Sequence, residues 1–415
     1  MNTLRYRRLK QTAARVVAMF VPGLNRRHAV RKKIYLALEY LSTWLTLQRV
    51  GKITNSEARS GPSALVVARE LNVTGAPMML LSEIKVLLKN GYSVMAAASL
   101  GGGLVAELEK LGVVTLVSPA LGEFETLVRR LSAKADLVVV NSIVCGSWVD
   151  YLPPSVPLIW YIHEGATLNE EIQAQPQVGR ALSRHPLVYT VTDHARSFLP
   201  EKDKARVLWP TVPDVPGLPP SSDNSGRPLR FAVVGSFVEY KGQALVLEAL
   251  AQLSPERLAE IEFYLIGLRK GPFFEKLREL CPAEWPVFFV AELADQEAKW
   301  RTFNDFDVFC VPSWHESCSL VTLEACMLGK PVIVSDQVGA KDMLPGGQSD
   351  LIFAVGDPVD LARCLKWCLD HRGRLPAMGL EARRAYEEKA SWDQFERGFM
   401  AAVESALNPP NNEEQ

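Results

Sequence analysis

Two glutamates eight residues apart, Glu316 and Glu324, frame the segment richest in possible chemistry, FDVFCVPSWHESCSLVTLEACMLGKPVIVSD. An apolar run ends at Pro312, so Glu316 falls in the loop after a strand and Glu324 in the helix that follows. A helix starting near Ser319 offers free backbone N–H groups to a phosphate. Just over a turn further in, the Glu324 carboxylate can accept two ribose hydroxyls, and Glu316 can reach a sugar hydroxyl. Acidic residues early in a helix also stabilise it through the dipole, a reading that asks nothing of a ligand.

Three more loops carry reactive residue types. In VVGSFVEYKG a strand stops at Gly235, Ser236 follows, and Lys241 comes six residues after the glycine, a cation able to neutralise phosphate. The order is not the Walker G-x-x-x-x-G-K-[ST], and the nicotinamide fingerprint G-x-G-x-x-G is incomplete at both domain starts, which argues against a dehydrogenase. In VARELNVTGAPMMLL, Gly75 leads into a helix with Pro77 in its first turn, and the glycine lets backbone approach a diphosphate. Any strand-to-helix turn also favours glycine. In WYIHEG a strand ends at His163, beside Glu164, where an imidazole could serve a ligand or the packing. His194, in VTDHARSFL, and His315, next to Glu316, have weaker cases.

These loops need a scaffold that gathers strand ends. From Ser63 the chain alternates short apolar runs with longer helical ones: Ala64 to Ala68, Pro77 to Lys89, Tyr92 to Ala98, and so on to Thr192. That is the pattern of a doubly wound α/β sheet, which binds ligands at the carboxyl ends of its strands. Residues 209–228 hold six prolines and little periodicity, as a linker or hinge would. A second Rossmann-like pattern opens with LRFAVV at Leu229 and continues through Glu262 to Ile266, Val287 to Val290, Val308 to Val311 and Pro331 to Val334. The expected divisions are an extension over 1–60, a first domain over 61–208, the linker, a second domain over 229–390 and a final helix over 391–408 that crosses back to the first domain.

With 415 residues the chain exceeds one typical core of ~100 to 200 residues. Hydrophobic residues at 48% and charged residues at 22% exclude a disordered, collagen-like or coiled-coil chain. Seven scattered cysteines lack paired C-x-x-C spacing and point to a reducing cytosol. Ten of the 46 basic residues fall within residues 1–38, which hold no acid, so the other 36 face all 47 acidic residues. In this arm Leu9, Ala13, Val16 and Phe20 share a helical face, as do Ile34, Leu38, Leu41 and Leu45. Such a helix suits an anionic membrane surface, through residues 1–50, or packs on the body with its basic face solvated. The first serine is Ser42, unlike a Ser-rich transit peptide, and no apolar run reaches the ~18 to 20 residues of a spanning helix. The expected location is cytoplasmic, soluble or peripheral on the inner membrane. The acidic body, without an RNA or DNA motif, argues against a nucleic-acid partner.

Taken together, the motifs resemble the retaining glycosyltransferases of family 4, with the GT-B fold. That signature places two glutamates eight apart before A-x-x-x-G-x-P-V-I, matched here by Glu316, Glu324, Ala325, Gly329, Pro331, Val332 and Ile333. The likeness takes in the G-S-x-x-x-x-K-G loop at 235–242, D-V-F-C-V-P-S at 307–313, V-G-A-K-D-M-L at 338–344 and S-W at 391–392. Family members often carry an arginine in the loop before the lysine, where Ser236 and Tyr240 stand here. The resemblance implies an α/β fold of two Rossmann-like domains facing across a cleft, with the basic helical extension ahead of them. It implies transfer of a sugar from a nucleotide diphosphate sugar, a UDP or GDP sugar, to a hydroxyl with retention, without a bound metal or other cofactor.

In that scheme Lys241 and the N–H groups at Ser319 and Leu320 stabilise the diphosphate, Glu324 holds the ribose and Glu316 positions the donor sugar. Gly75 approaches the phosphates and His163 is the family's cleft histidine. The acceptor expected from TGAP and the basic arm is a glycan or lipid-linked glycan of bacterial surface polysaccharide synthesis. A sugar-nucleotide epimerase or phosphorylase of the same architecture, and a non-catalytic membrane adaptor, are the alternatives.

Overall fold

Short runs of apolar residues, buried on both faces, make this a protein of parallel sheets, since such strands need cover above and below. The computed structural model describes residues 35–44, 61–185, 187–215, 226–293, 295–344 and 346–409. Leu9, Ala13, Val16, Phe20, Ile34 and Leu45 of the basic arm, and residues 216–225 of the proline-rich stretch, lie outside them. The chain divides into two compact units. The first takes in the described parts of Met1–Ile162, Glu170–Val188 and Met400–Gln415, the second His163–Asn169 and Tyr189–Phe399.

In the first unit β1 (Ser63–Glu70), β2 (Ser93–Leu100), β3 (Val114–Val117), β4 (Leu137–Asn141) and β5 (Leu158–Ile162) run parallel in the order β3-β2-β1-β4-β5. The register sets Val66 between Ala96 and Val139 at the centre. Around this sheet come α1 (35–44), α2 (Gly75–Lys89), α3 (Leu104–Lys110), α4 (Glu125–Ser132), α5 (Gly146–Tyr151), α6 (Leu168–Ala174, which begins in the second unit's 163–169 stretch) and α7 (Pro176–Arg184). Under α2 one carboxyl is fully buried: Glu83 Oε2 accepts the Asn141 amide at 2.7 Å, and Oε1 has no partner among the described residues. Burial pushes this carboxyl up to about 8, against the pull of Asn141.

Of the extension, α1 packs on the first unit by its polar residues. Glu39 and Thr43 are buried, Thr43 Oγ1 donates to Ser118 Oγ at 2.8 Å, and Tyr40 lies 4.8 Å from the Phe124 ring. Leu41, placed by sequence on the shared apolar face with Leu38, is 51% exposed. The face of α1 that meets the first unit is the polar one, where the Ser118 hydroxyl partners Thr43 and Glu39.

The second unit holds a parallel pair, β6 (Tyr189–Thr190) and β7 (Arg206–Val207), and a six-stranded parallel sheet. Its strands are β8 (Leu229–Val234), β9 (Ile261–Gly267), β10 (Val287–Ala291), β11 (Val308–Val311), β12 (Val332–Ser335) and β13 (Ile352–Phe353), ordered β10-β9-β8-β11-β12-β13. Phe231 and Phe263 stack at 5.5 Å in its core, with Leu265, Ile333 and Phe353 buried around them. The helices are α8 (Asp193–Arg196), α9 (Gln243–Leu250), α10 (Pro255–Leu258), α11 (Pro272–Leu280), α12 (Gln296–Asn304), α13 (Leu320–Met327), α14 (Pro358–Asp370) and α15 (Leu375–Lys389), and α16 (Trp392–Leu407) is the last helix among the described residues. α14 is capped by Asp357, whose side chain accepts from the N–H groups of Val359 and Asp360, with Pro358 in the first turn. Among the described residues no helix is long and apolar enough to cross a membrane.

Candidate functional site

At the carboxyl edge of the second unit's sheet, glycines let three loops come together. After β8, Gly235 takes φ +151°, and a β-carbon on Gly267 at the end of β9 would collide with its carbonyl oxygen. Gly242 takes φ +72°, and a β-carbon there would collide with the Pro312 carbonyl after β11. The turn that bears Lys241 therefore sits directly against the strand end that bears Glu316, and the Trp314 N–H donates to the Tyr240 carbonyl at 2.8 Å.

This contact joins two residues that sequence gave separate tasks. The Lys241 ammonium donates to Glu316 Oε1, and Ser313 Oγ donates to the same oxygen at 2.9 Å. The glutamate's backbone is held on both sides: its N–H donates to the Gln337 carbonyl at 3.0 Å, and its carbonyl accepts from Gly339 at 2.9 Å. Side chains here are mostly covered, 22% exposed for Lys241 and 15% for Glu316, so the ion pair acts in a medium less screening than water.

Ser319 caps α13 in a left-handed conformation, φ +95° and ψ 100°, with its Oγ accepting from the Thr322 N–H. Ser142, at the end of β4 in the first unit, is the other described non-glycine residue of positive φ. Such backbone costs of order 1–3 kcal/mol and gathers at ligand sites. Glu324 lies inside α13, and its Oε1 accepts from Lys299 Nζ at 2.6 Å. Burial raises the Glu324 carboxyl above its usual range while the charge and hydrogen bond of Lys299 pull it down. Sequence reasoning missed Lys299, which stands 25 residues away on α12 and belongs to no motif; the one hint was a lysine beside Trp300 on an otherwise amphipathic helix.

His163 opens the 163–169 stretch of this unit, and its N–H donates to Glu164 Oε2 at 3.1 Å. Its side chain is half-buried by surface area, yet the protein around it lowers the imidazole to about 3, leaving it neutral at ordinary pH. Two residues on, Gly165 packs 3.5 Å, measured from a notional β-carbon, from Ser317, and Thr192 Oγ1 donates to the Ser317 carbonyl at 2.6 Å. The segment that follows His163 thus abuts the residue after Glu316.

Ser236 is exposed, and its carbonyl accepts from Gln243 Nε2 at 2.9 Å. Gln243, another residue no motif marked, is buried, with Oε1 unpartnered among the described residues. His194 belongs to a network with Lys341 and Asp342, and His315 stacks on Tyr240 at 5.2 Å. Gly75 belongs to the first unit, exposed at the start of α2 with open space around its α-carbon. The same unit has a depression of about 420 Å³ at the carboxyl ends of β1 to β4, lined among others by Arg69, Ser99, Glu123, Ser147, Gln175 and Gln177.

Comparison with known proteins gives this geometry a context. The family model described as "Glycosyl transferases group 1" matches residues 228–371, and "Glycosyl-transferase family 4" matches residues 60–178. An MMP alpha-(1->4)-mannosyltransferase of Mycolicibacterium hassiacum is 27% identical over 177 residues, 42% of this chain and 43% of the relative. A D-inositol 3-phosphate glycosyltransferase of Nocardia farcinica is 34% identical over 192 residues, 44% of this chain and 41% of the relative. The chain therefore spans less than half the length of these curated relatives. Among solved structures, HepE of Anabaena in complex with UDP and glucose superposes with TM-score 0.68 at 17% identity, covering 83% of this chain and 100% of that one. At that identity the likeness is one of fold, two parallel Rossmann-like sheets of GT-B type.

Proposed function

The chain belongs to the family 4, group 1 glycosyltransferases of GT-B fold, and from that premise we propose that it moves a sugar from a nucleotide diphosphate sugar to an acceptor hydroxyl with retention at the anomeric carbon. The observation that carries this is the meeting of Lys241 with Glu316, eight residues ahead of Glu324 and across the strained cap at Ser319. One cation, two carboxylates and a helix start at one sheet edge supply what a sugar diphosphate needs.

As the bond between sugar and diphosphate breaks, negative charge grows on the leaving oxygens. Lys241 and the N–H groups at Ser319 and Leu320 stabilise it, work for fixed dipoles and charges rather than for a strong base. Glu316, oriented by Ser313, holds the donor sugar, and Glu324 takes the ribose. His163, neutral where it stands, acts by hydrogen bonding and not as a proton acid. Ser236 and its bond to Gln243 shape the diphosphate turn in the place where relatives often carry arginine. Gly75 leaves the first unit's backbone open to an anion.

The polar depression in the first unit suits a hydroxylated acceptor, with Arg69 available to an anionic group on it. A growing surface glycan on a lipid carrier is the acceptor we propose, with the basic residues of 1–38 drawn to anionic lipid at the cytoplasmic face. A UDP sugar is the first donor to try, because HepE, a fold neighbour, was crystallised with UDP and glucose.

The test is incubation of the purified chain with UDP-glucose and with GDP-mannose, alone and with a lipid-linked glycan fraction, followed by NMR of the products. Acceptor-dependent release of the nucleoside diphosphate and a product of unchanged anomeric configuration support the proposal. Conversion of the donor to its epimer without acceptor, or an inverted product, contradicts it.

A further inference from the structure

Lys299 belongs to no family motif, yet it is the cation that touches Glu324. Its Nζ donates to Oε1 at 2.6 Å, and the two side chains are 19% and 12% exposed. The ammonium also lies over aromatic rings, 4.5 Å from that of Trp300 and 5.1 Å from that of Phe303, which themselves meet edge to face at 5.9 Å. Trp300 and Phe303 are buried, and α12 is fixed at its start by Asp295, whose Oδ1 accepts from Ala298 at 2.7 Å. A lysine so enclosed has lost the freedom of its stem and acts as a fixed point charge.

Two consequences follow for the carboxylate. Among the described residues the carboxylate's hydrogen bond is made through Oε1, which leaves Oε2 open to a ligand. Burial by itself favours a proton on Glu324, and a protonated carboxyl presents a donor where a hydroxyl needs an acceptor; Lys299 opposes this.

We propose that Lys299 is a positioning residue that makes the nucleotide site selective for ribose over deoxyribose, by holding Glu324 as an ionised acceptor with Oε2 unengaged. The inference rests on the reading of Glu324 as the ribose partner. A site built to hydrogen-bond a hydroxyl rejects the analogue that lacks it, because its buried polar atom is then left unpaired.

Calorimetric titration of the whole chain with UDP and 2′-deoxy-UDP, and in parallel with GDP and 2′-deoxy-GDP, tests this. Wild type is expected to prefer the ribonucleotide by about tenfold or more. Lys299→Met should bring that ratio to within about threefold while keeping the affinity for the deoxynucleotide. Lys299→Arg should restore most of the preference, and adding Lys299→Met to Glu324→Gln should change nothing further, an arm that stays informative if Lys299→Met alone folds poorly. A Lys299→Met protein with the wild-type ratio, or one weakened equally for both sugars, overturns the proposal. A folded wild type that binds none of the four nucleotides overturns the donor reading itself, and this inference with it.

Discussion

Lys241 and Glu316, 75 residues apart in sequence, are ion-paired at the carboxyl edge of one parallel sheet. What brings them together is backbone, chiefly the close approach of Gly242 to Pro312, so the site's charge geometry is set by the fold before any ligand arrives. Each partner neutralises the other, and in the proposed reaction each would exchange that partner for a group on the sugar diphosphate.

Removing the cation should therefore harm turnover more than folding. Lys241→Met is expected to lower sugar transfer by about 10²- to 10³-fold, the range for loss of one preorganised stabiliser of developing charge. Glu316→Gln, which keeps the hydrogen bond from Ser313, should also lose transfer. In a double-mutant cycle read by urea unfolding, the two changes should couple by about 1 kcal/mol; additivity would mean that the pair adds nothing to stability.

The glycine requirement is testable by contrast. Gly242→Ala places a β-carbon against the Pro312 carbonyl and forces an L residue to φ +72°, and should cost about 2 kcal/mol or more. Gly271→Ala, at φ +99° but with open space around it, should cost about half as much, from strain alone. Equal losses in urea melts would contradict the packing account.

Glu83 gives the first unit a pH signature. Its carboxyl titrates near 8 when folded and near the ordinary 4.5 when unfolded, so between these values the folded state holds the extra proton. Stability is therefore lost as pH rises from about 4.5 to about 8, by up to about 1.4 kcal/mol per pH unit, and is level above that. Glu83→Gln keeps an acceptor for Asn141 and removes the titration. It should match wild type near pH 5 and exceed it at pH 8 in denaturant melts.

His163 titrates in the opposite sense. Burial lowers its imidazole from 6.5 to about 3, so the unfolded chain takes up a proton first as pH falls, and this residue's contribution is lost progressively below about 6.5. Its imidazole signals in an NMR titration should stay constant from pH 8 to about 5. Movement with a midpoint near 6.5 would show an accessible ring.

The sheets were legible because apolar runs such as SALVVARE and LRFAVV have no other home than a covered parallel sheet. Glu316, Ser319 and Glu324 were legible because they lie in one loop and helix, where spacing translates directly into position. The partnerships were not. Lys299 reaches Glu324 from another helix, and Lys241 reaches Glu316 through a glycine contact that no pattern encodes. On α1 the contacts of Thr43 and Glu39 were not legible, because Ser118, some 75 residues away, supplies hydrogen bonds that sequence periodicity does not register.

Binding of a nucleotide diphosphate sugar at the second unit's sheet edge can be measured by titrating UDP-glucose and GDP-mannose into wild type and into Lys241→Met and Glu324→Ala. Saturable binding of one donor by wild type, weakened at least tenfold in both folded variants, is the predicted result. Equal binding by all three proteins would contradict it, as would no binding of either donor by folded wild type.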